Sequence, residues 1–392
     1  MVITVIYIDN IGKYKYMKKF GKALDKNSKI SYNQHKRKCK CLHKMLNESQ
    51  KITEKSDTLN IYDVSEKAGV SIATVSRVLN GNAKVSDKTR EKVLRIIEEC
   101  GYTPNAFARG LGLNTMNTIG VMCADSSYPY QAKAIYYIEQ NLRANGYDCI
   151  LCCTGDELER KKECMELLLT KKVDGIILVG SSFVYEKKSD NKYIVDAAKQ
   201  IPVMILNADI DAPNVYCIIT DDVKSMEEAG KFLMKDKEEV LYLYNAHSNS
   251  GKRKIQGFKN ACKKSGVTVT EDKIRYFNGY HEDIPAVAEL LHEITREGVR
   301  FSGILCSDDA LAMGALRFAW EKGIKVPEEL QVIGYGDSML VNCCNPGLTS
   351  VDTKEEVMCQ QLVDTLLQIL QGKEMPQKLV FHGKLVLRGT TR

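Results

Sequence analysis

No run of about 18 apolar residues occurs anywhere in the chain, so no segment reads as a membrane-spanning helix. The opening MVITVIYIDN has neither the basic flank nor the small-residue cleavage site of a secretory signal, and the expectation is a cytoplasmic protein. Nucleophile elbow, phosphate-binding loop and metal motif are all missing, and the 6 histidines sit in no recognisable catalytic pairing. These absences argue against an enzyme, and no cofactor is expected. A single tryptophan and a hydrophobic fraction of 44% suit a soluble globular protein, and 392 residues suit a small module joined to a larger domain.

Fourteen cysteines would suggest disulfides in a small secreted domain, but here the chain is long and carries no signal. Cys149 to Cys152 is formally a C-x-x-C, yet it lies in the apolar run YDCILCC without a basic or glycine-proline context, so reduced buried thiols are expected. His35, Cys39, Cys41 and His43 cluster, but their spacing matches no structural zinc pattern, and no metal is assigned.

Positive charge is concentrated at one end. Residues 1–58 hold 14 Lys and Arg against 5 Asp and Glu, residues 59–112 hold 8 against 6, and the remainder holds 34 against 39. Two readings of the first 58 residues stand: a basic arm adding phosphate contacts, or an extension produced by a start assigned too early, with Met45 or a codon near Leu59 as the alternative.

The stretch NIYDVSEKAGVSIATVSRVLNG, from Asn60 to Gly81, is more specific: it spells a helix from Ile61, a turn at Gly69 and a second helix opening at Ser71. Val64, Ala68, Val70, Val75, Val78 and Leu79 recur at helical intervals and can pack the two helices together. The free edge of the second helix carries Ser71, Thr74, Ser76 and Arg77, and Asn80-Gly81 stops it. Ser86 caps a third amphipathic helix with Val93, Ile96, Ile97 and Cys100 inward and Gly101 at its end. Beyond Pro104, Asn105 to Leu111 can form only a two-turn helix, too short to be stable alone in water: either a hinge that DNA orders or a plain linker.

From Thr118 onward apolar strands alternate with amphipathic helices. The first series runs TIGVMCA, a helix around Ala132–Asn145, YDCILCC, a helix around Glu157–Thr170, DGIILVG, a helix around Tyr193–Lys199, and PVMILNA, which closes it. The second runs EVLYLYN, a helix near Lys254–Ser265, KIRYFNG, a helix near Ile284–Glu297, GILCSDD, a helix near Ala310–Lys322, and LQVIGYG. This alternation predicts two doubly wound parallel-sheet subdomains, with ligands bound beyond the carboxyl ends of the strands.

DVSEKAGVSIATVSRVLNG, VSDKTREKV, GYTPNAFARGL, VPEELQVIGYGD, GLTSVD and LVLRGTT, in this order, make the chain resemble the lactose repressor family of bacterial transcription regulators from about Leu59 to Arg392. The resemblance implies an N-terminal all-α helix-turn-helix module with a hinge helix, then an α/β periplasmic-binding-protein-like domain of two doubly wound parallel-sheet subdomains closing over a small effector. The expected organisation is a basic extension over 1–58, the DNA-binding module over 59–103, hinge helix and linker over 104–116, and a two-lobed effector-binding and dimerisation domain over 117–392. It also implies three chain crossings between lobes, near Cys217–Asp221, Pro346–Thr353 and Met375–Val380.

Carried over by position, Ile72 and Ala73 stand where the family chooses bases, and Arg77 is the expected guanine reader. Ile72 and Ala73 can only pack on a thymine methyl or a sugar, which shifts specificity toward Arg77, Lys84 and the hinge. Ser71, Thr74, Ser76 and Asn80 would fix register on phosphates and sugars, and Tyr102, Asn105 and Ala108 would contact DNA around the hinge. Leu111 matches the family's lever leucine, which wedges into the minor groove at the operator centre. Two leucines at a dyad require two subunits, so a homodimer on a palindromic double-stranded operator is implied.

For the effector, Tyr128 and Tyr130 supply aromatic rings after the first strand, and Asp309 lines up with a carboxylate that accepts ligand hydroxyl protons, although its neighbour Asp308 could take that part. Lys254, beside Arg253, replaces an arginine of many sugar-binding members. Asn207 and Asp337 stand at positions where those members carry different polar residues. The lost arginine and acid argue against a simple hexose. The expectation is therefore a DNA-binding regulator, a repressor controlled by a small molecule. The alternatives are control by a phosphorylated carrier protein or, from another class, a solute-binding protein, which would need export and no DNA-binding head.

Overall fold

The computed structural model describes residues 60–79, 84–102, 115–235, 239–280 and 283–392. The chain divides into two compact units at Pro104–Asn105.

The described residues of the first unit form a bundle of three helices: α1 (Ile61–Ala68), α2 (Ile72–Leu79) and α3 (Asp87–Cys100). Asn60 and Asp63 form a reciprocal capping box at the start of α1, and Gly69 ends it in the left-handed conformation that glycine adopts at little cost. Ser71 Oγ accepts from Thr74 N at 3.2 Å, Ser86 Oγ accepts from Thr89 N at 3.4 Å, and Gly101 closes α3 in the same way as Gly69 closes α1. Val64, Ala68, Val75, Val78, Val93 and Ile96 form the core, with Val70, Leu79, Ile97 and Cys100 half-buried at its margin. Asn80 and the segment from Asn105 to Leu111, with its expected hinge helix, lie outside the described residues, as does the cluster around Cys39.

The second unit holds two sheets. The first contains β1 (Thr118–Cys123), β2 (Asp148–Cys153), β3 (Gly175–Val179), β4 (Val203–Leu206), β5 (Val215–Thr220) and β11 (Lys378–Phe381), ordered β11-β5-β4-β3-β1-β2, all parallel. The second contains β6 (Val240–Tyr244), β7 (Ile274–Tyr276), β8 (Gly303–Cys306), β9 (Gln331–Tyr335), β10 (Thr349–Asp352) and β12 (Lys384–Val386), ordered β12-β10-β9-β8-β6-β7. Here only β12 runs antiparallel to its neighbour. The central strands β3 and β4 are buried along their full length, as expected for parallel strands covered on both faces.

Helices α4 (Pro129–Ala144), α5 (Leu158–Thr170), α6 (Lys192–Ala198) and α11 (Glu355–Leu370) cover the first sheet. Helices α7 (Asp222–Leu233), α8 (Asn249–Ser265), α9 (Ile284–Arg296) and α10 (Asp309–Lys322) cover the second. α7 and α8 pack closely at Gly257, where a Cβ would lie 2.4 Å from the Val223 carbonyl oxygen and 2.7 Å from Met226 Cβ.

Several boundaries differ from the sequence expectation. The first sheet does not close at PVMILNA but continues through β5 and β11. Pro129 occupies the first turn of α4, where its missing N–H costs nothing, so the helix begins before Ala132. α8 starts at Asn249 rather than near Lys254, because Ser248 Oγ caps it by accepting from Gly251 N at 3.2 Å. The chain passes from the first lobe to the second at Asp221, returns at Thr353–Lys354, and passes again at His382–Gly383. The second crossing begins at the last residue of its expected segment, and the third falls just beyond its own, because β11 runs on to Phe381.

Candidate functional site

In the first unit, packing of α2 on its neighbours turns Val75 and Val78 inward and leaves Ser71, Ile72, Ala73 and Arg77 exposed along one edge. Ile72 is 38% exposed, a large aliphatic side chain held at the surface. Thr74 and Ser76 are half-buried, and the Ser71 and Thr74 hydroxyls lie 2.9 Å apart, so both help to cap the helix. Arg77 makes no hydrogen bond or ion pair within the described residues, which leaves its two-pronged donor set available. Lys84 is exposed, and Tyr102 packs half-buried against the three-helix core.

In the second unit, a cleft of about 700 Å³ opens between the lobes at the carboxyl ends of both sheets. Tyr128, Tyr130, Asn207, Lys254 and Asp309 all line it; Arg253 and Asp337 do not. Tyr128 and Tyr130 flank Pro129 at the start of α4, with ring centroids 6.5 Å apart, and burial raises both phenol pKa values. Asn207 adopts a left-handed conformation, which asparagine tolerates better than most residues, and its side-chain amide donates to Tyr130 Oη.

Lys254 is committed internally. Its Nζ donates to the Ser307 carbonyl at 2.9 Å and sits 4.0 Å from the Tyr335 ring centroid, and burial lowers its pKa. Arg253, one residue earlier and about 100° round the helix, does not line the cleft itself but pairs with Asp222, which does: Nε and one terminal nitrogen donate to Oδ2 at 3.1 and 2.9 Å. The same guanidinium donates to the Asn207 carbonyl at 3.1 Å and so ties α8 to the first lobe. Asp337, in a left-handed turn, pairs with Arg388 at 2.7 Å.

The two adjacent acids at α10 have separate tasks. Asp309 is 2% exposed; it accepts from Ser350 Oγ at 2.6 Å and from Ser338 N at 2.7 Å, bracing β10 and the turn after β9. Burial raises its pKa, opposed by those hydrogen bonds. Asp308 is the helix cap through Leu311 N at 2.8 Å, and its second oxygen, facing the cleft, accepts from Asn245 and lies 3.5 Å from Tyr128 Oη. The carboxylate oxygen directed at cleft side chains is therefore that of Asp308, while both oxygens of Asp309 are taken by Ser350 and Ser338.

Two family models match the chain: "Bacterial regulatory proteins, lacI family" over residues 60–105, and "Periplasmic binding proteins and sugar binding domain of LacI family" over residues 116–386. An HTH-type transcriptional regulator of Lachnoclostridium phytofermentans is 45% identical over 85% of this chain and 99% of its own length. The regulator DegA of Bacillus subtilis is 31% identical over 84% of this chain and 97% of its own. The chain belongs to the LacI family of bacterial transcriptional regulators. The fold is shared with the lac repressor dimer bound to operator and an anti-inducer, which superposes with a TM-score of 0.76 at 24% identity, covering 86% of this chain and 99% of that one.

Within this LacI-family cleft, the residues that sequence reasoning did not find are mostly at the crossings and strand ends. Asp222, beside the first crossing, is 2% exposed and also accepts from Ser250 Oγ at 2.8 Å and from Tyr335 Oη at 2.7 Å. Glu355, beside the second crossing, is 6% exposed, with Oε2 3.8 Å from Lys133 Nζ and no hydrogen-bond partner for Oε1. Burial pushes its pKa up to about 8. It follows Lys354, whose left-handed backbone is held by a 2.8 Å bond from its N–H to Asp352 Oδ1. The signal available in sequence was the position of both acids at the ends of strands, where these sheets bind ligands. Among the described residues, no group of His, Cys, Asp or Glu could hold a metal ion, and no helix is long and apolar enough to cross a membrane.

Proposed function

We propose that this LacI-family regulator is a cytoplasmic, non-enzymatic repressor that binds a palindromic operator as a homodimer, with a small molecule in the interlobe cleft setting operator affinity. The observation that carries the DNA reading is the exposed edge of α2, with Arg77 uncommitted beside Ile72 and Ala73. In this reading Arg77 addresses a base edge and shares specificity with Lys84 and the hinge, Ser71, Thr74, Ser76 and Tyr102 hold the backbone, and Asn80, Asn105, Ala108 and Leu111 complete the interface. The cleft supports a polar, hydroxyl-bearing effector: tyrosines offer ring faces, while Asn207, Asn245 and Asp308 offer directional hydrogen bonds.

The experiment is selection of bound duplexes from a random pool by the full chain, followed by footprinting. A two-fold symmetric site protected on both half-sites is the expected result. Enrichment of a single half-site without symmetry, bound by one chain, overturns the dimeric reading.

A further inference from the structure

The first lobe carries a pair of thiols that neither DNA binding nor the cleft uses. Cys123 ends β1 and Cys153 ends β2, and the two are register partners in adjacent parallel strands. Neighbouring strands lie about 4.8 Å apart, inside the roughly 4.4–6.8 Å Cα separation that a disulfide spans. Both side chains point to the same face, and their sulfurs are 3.6 Å apart. β2 is the edge strand of its sheet, paired on one side only, and so can give way as the sulfurs close.

The two thiols differ in access. Cys153 is exposed, whereas Cys123 is fully buried. Beyond the pair the ladder continues, with Thr154 N donating to the Cys123 carbonyl and Gly155 N to the Ala124 carbonyl, both at 2.9 Å. The next residues, Asp125 and Asp156, line the cleft.

We infer that Cys123 and Cys153 are an oxidisable dithiol: hydrogen peroxide converts Cys153 to a sulfenic acid, and Cys123 then closes a disulfide across β1 and β2 at the rim of the cleft. In the first step the Cys153 thiolate attacks a peroxide oxygen, the O–O bond breaks and hydroxide leaves. In the second the Cys123 sulfur attacks the sulfenic sulfur, the S–O bond breaks, and the departing hydroxide leaves as water with the Cys123 proton. Two thiols and one peroxide thus give one disulfide and two waters, the sulfurs being oxidised and the peroxide reduced.

The order of the steps follows from the environments. Burial first, then the neighbouring Cys153, pushes the Cys123 thiol from 9.0 up to about 12. Buried and holding its proton more tightly than an ordinary thiol, it meets dissolved peroxide less readily than the exposed Cys153. Oxidation of Cys123 has to run through Cys153.

The test uses the reduced full chain, treated with graded hydrogen peroxide, blocked with N-ethylmaleimide, denatured, digested and mapped by mass spectrometry. The expected first product is a linked peptide pair joining Cys123 to Cys153, reversed by dithiothreitol and formed before any change at the buried Cys217, Cys262, Cys306 or Cys359. Conversion of Cys153 to sulfinic acid while Cys123 still alkylates after denaturation overturns the inference, as does a Cys153 link to Cys152 or to a second chain. In Cys153→Ser, Cys123 should remain reduced at peroxide doses that oxidise it in the native sequence. Oxidation of Cys123 at an unchanged rate in that variant refutes the assigned order.

Discussion

Asp222→Asn isolates the charge of the buried carboxylate that links the first crossing to α8. Asp222 takes four hydrogen bonds: two from Arg253, one from Ser250 and one from Tyr335, between 2.7 and 3.1 Å. Asparagine keeps the shape and one acceptor oxygen. If that oxygen faces Arg253 and Ser250, the new amide group faces the Tyr335 hydroxyl, which can rotate to accept. Hydrogen bonding therefore largely survives, and what disappears is the negative charge opposite the guanidinium. Removing one member of a buried ion pair costs about 3–5 kcal/mol. The Arg253 side chain is 22% exposed and Asp209 stays 3.9 Å away, so water and a second carboxylate recover part of the loss. A destabilisation of about 2–3 kcal/mol remains, equivalent to roughly 4–12 °C in midpoint for a unit of this size. Calorimetry of the full chain, following the transition of the second unit, measures it. Asp222→Asn combined with Arg253→Met should cost less than the sum of the two single changes by about 1 kcal/mol or more. A single-variant shift below about 0.5 kcal/mol, or strict additivity, would refute the assignment of an ion-paired hub.

Arg77→Ala should weaken binding to a selected operator by about 1–3 kcal/mol and relax preference at one symmetric position of each half-site, whereas an equal loss on all sequences identifies a phosphate contact. Glu355 holds its proton more tightly folded, at about 8, than the ordinary 4.5, so its ionisation opposes folding and stability falls as pH rises between those values. Urea titrations from pH 5 to 9 should therefore show Glu355→Gln removing a slope of up to about 1.4 kcal/mol per pH unit and gaining on the native sequence toward pH 8. An identical slope in the variant would show that Glu355 does not titrate in this window. Gly257→Ala should destabilise the second lobe by about 1–3 kcal/mol in thermal melts, because its Cβ meets the Val223 carbonyl. A midpoint unchanged by this substitution would mean that α7 and α8 separate freely.

Strand positions were legible wherever an apolar run was buried along its whole length, as in DGIILVG and PVMILNA. β5 and β11 were not placed in the first sheet, because their pairing joins Cys217 to Lys378 and Thr220 to Phe381, across a distance in sequence that no local pattern records. The exposed edge of α2 was readable because two short helices fix each other's orientation through a few valines and an alanine. The cleft was less readable because neighbours in sequence take different partners: Lys254 lines it while Arg253 is held by Asp222 without lining it, and Asp308 accepts from Asn245 while Asp309 is claimed by Ser338 and Ser350. Those choices depend on partners contributed by distant segments, such as Ser350 reaching Asp309 from β10.

The way β11 and β12 are shared out between the two sheets bears on how the protein is made. As synthesis proceeds from the N-terminus, β5 emerges early, yet its outer neighbour β11 leaves the ribosome more than 150 residues later, while β10 waits only over the short stretch from Asp352 to Lys384 for β12. Until then β5 and β10 each keep one side unpaired, and unpaired strand edges invite pairing with other chains. Pairings this remote in sequence also form slowly. A nascent chain that stalls before Lys378 would lack the strands that cover the outer sides of β5 and β10, one in each lobe.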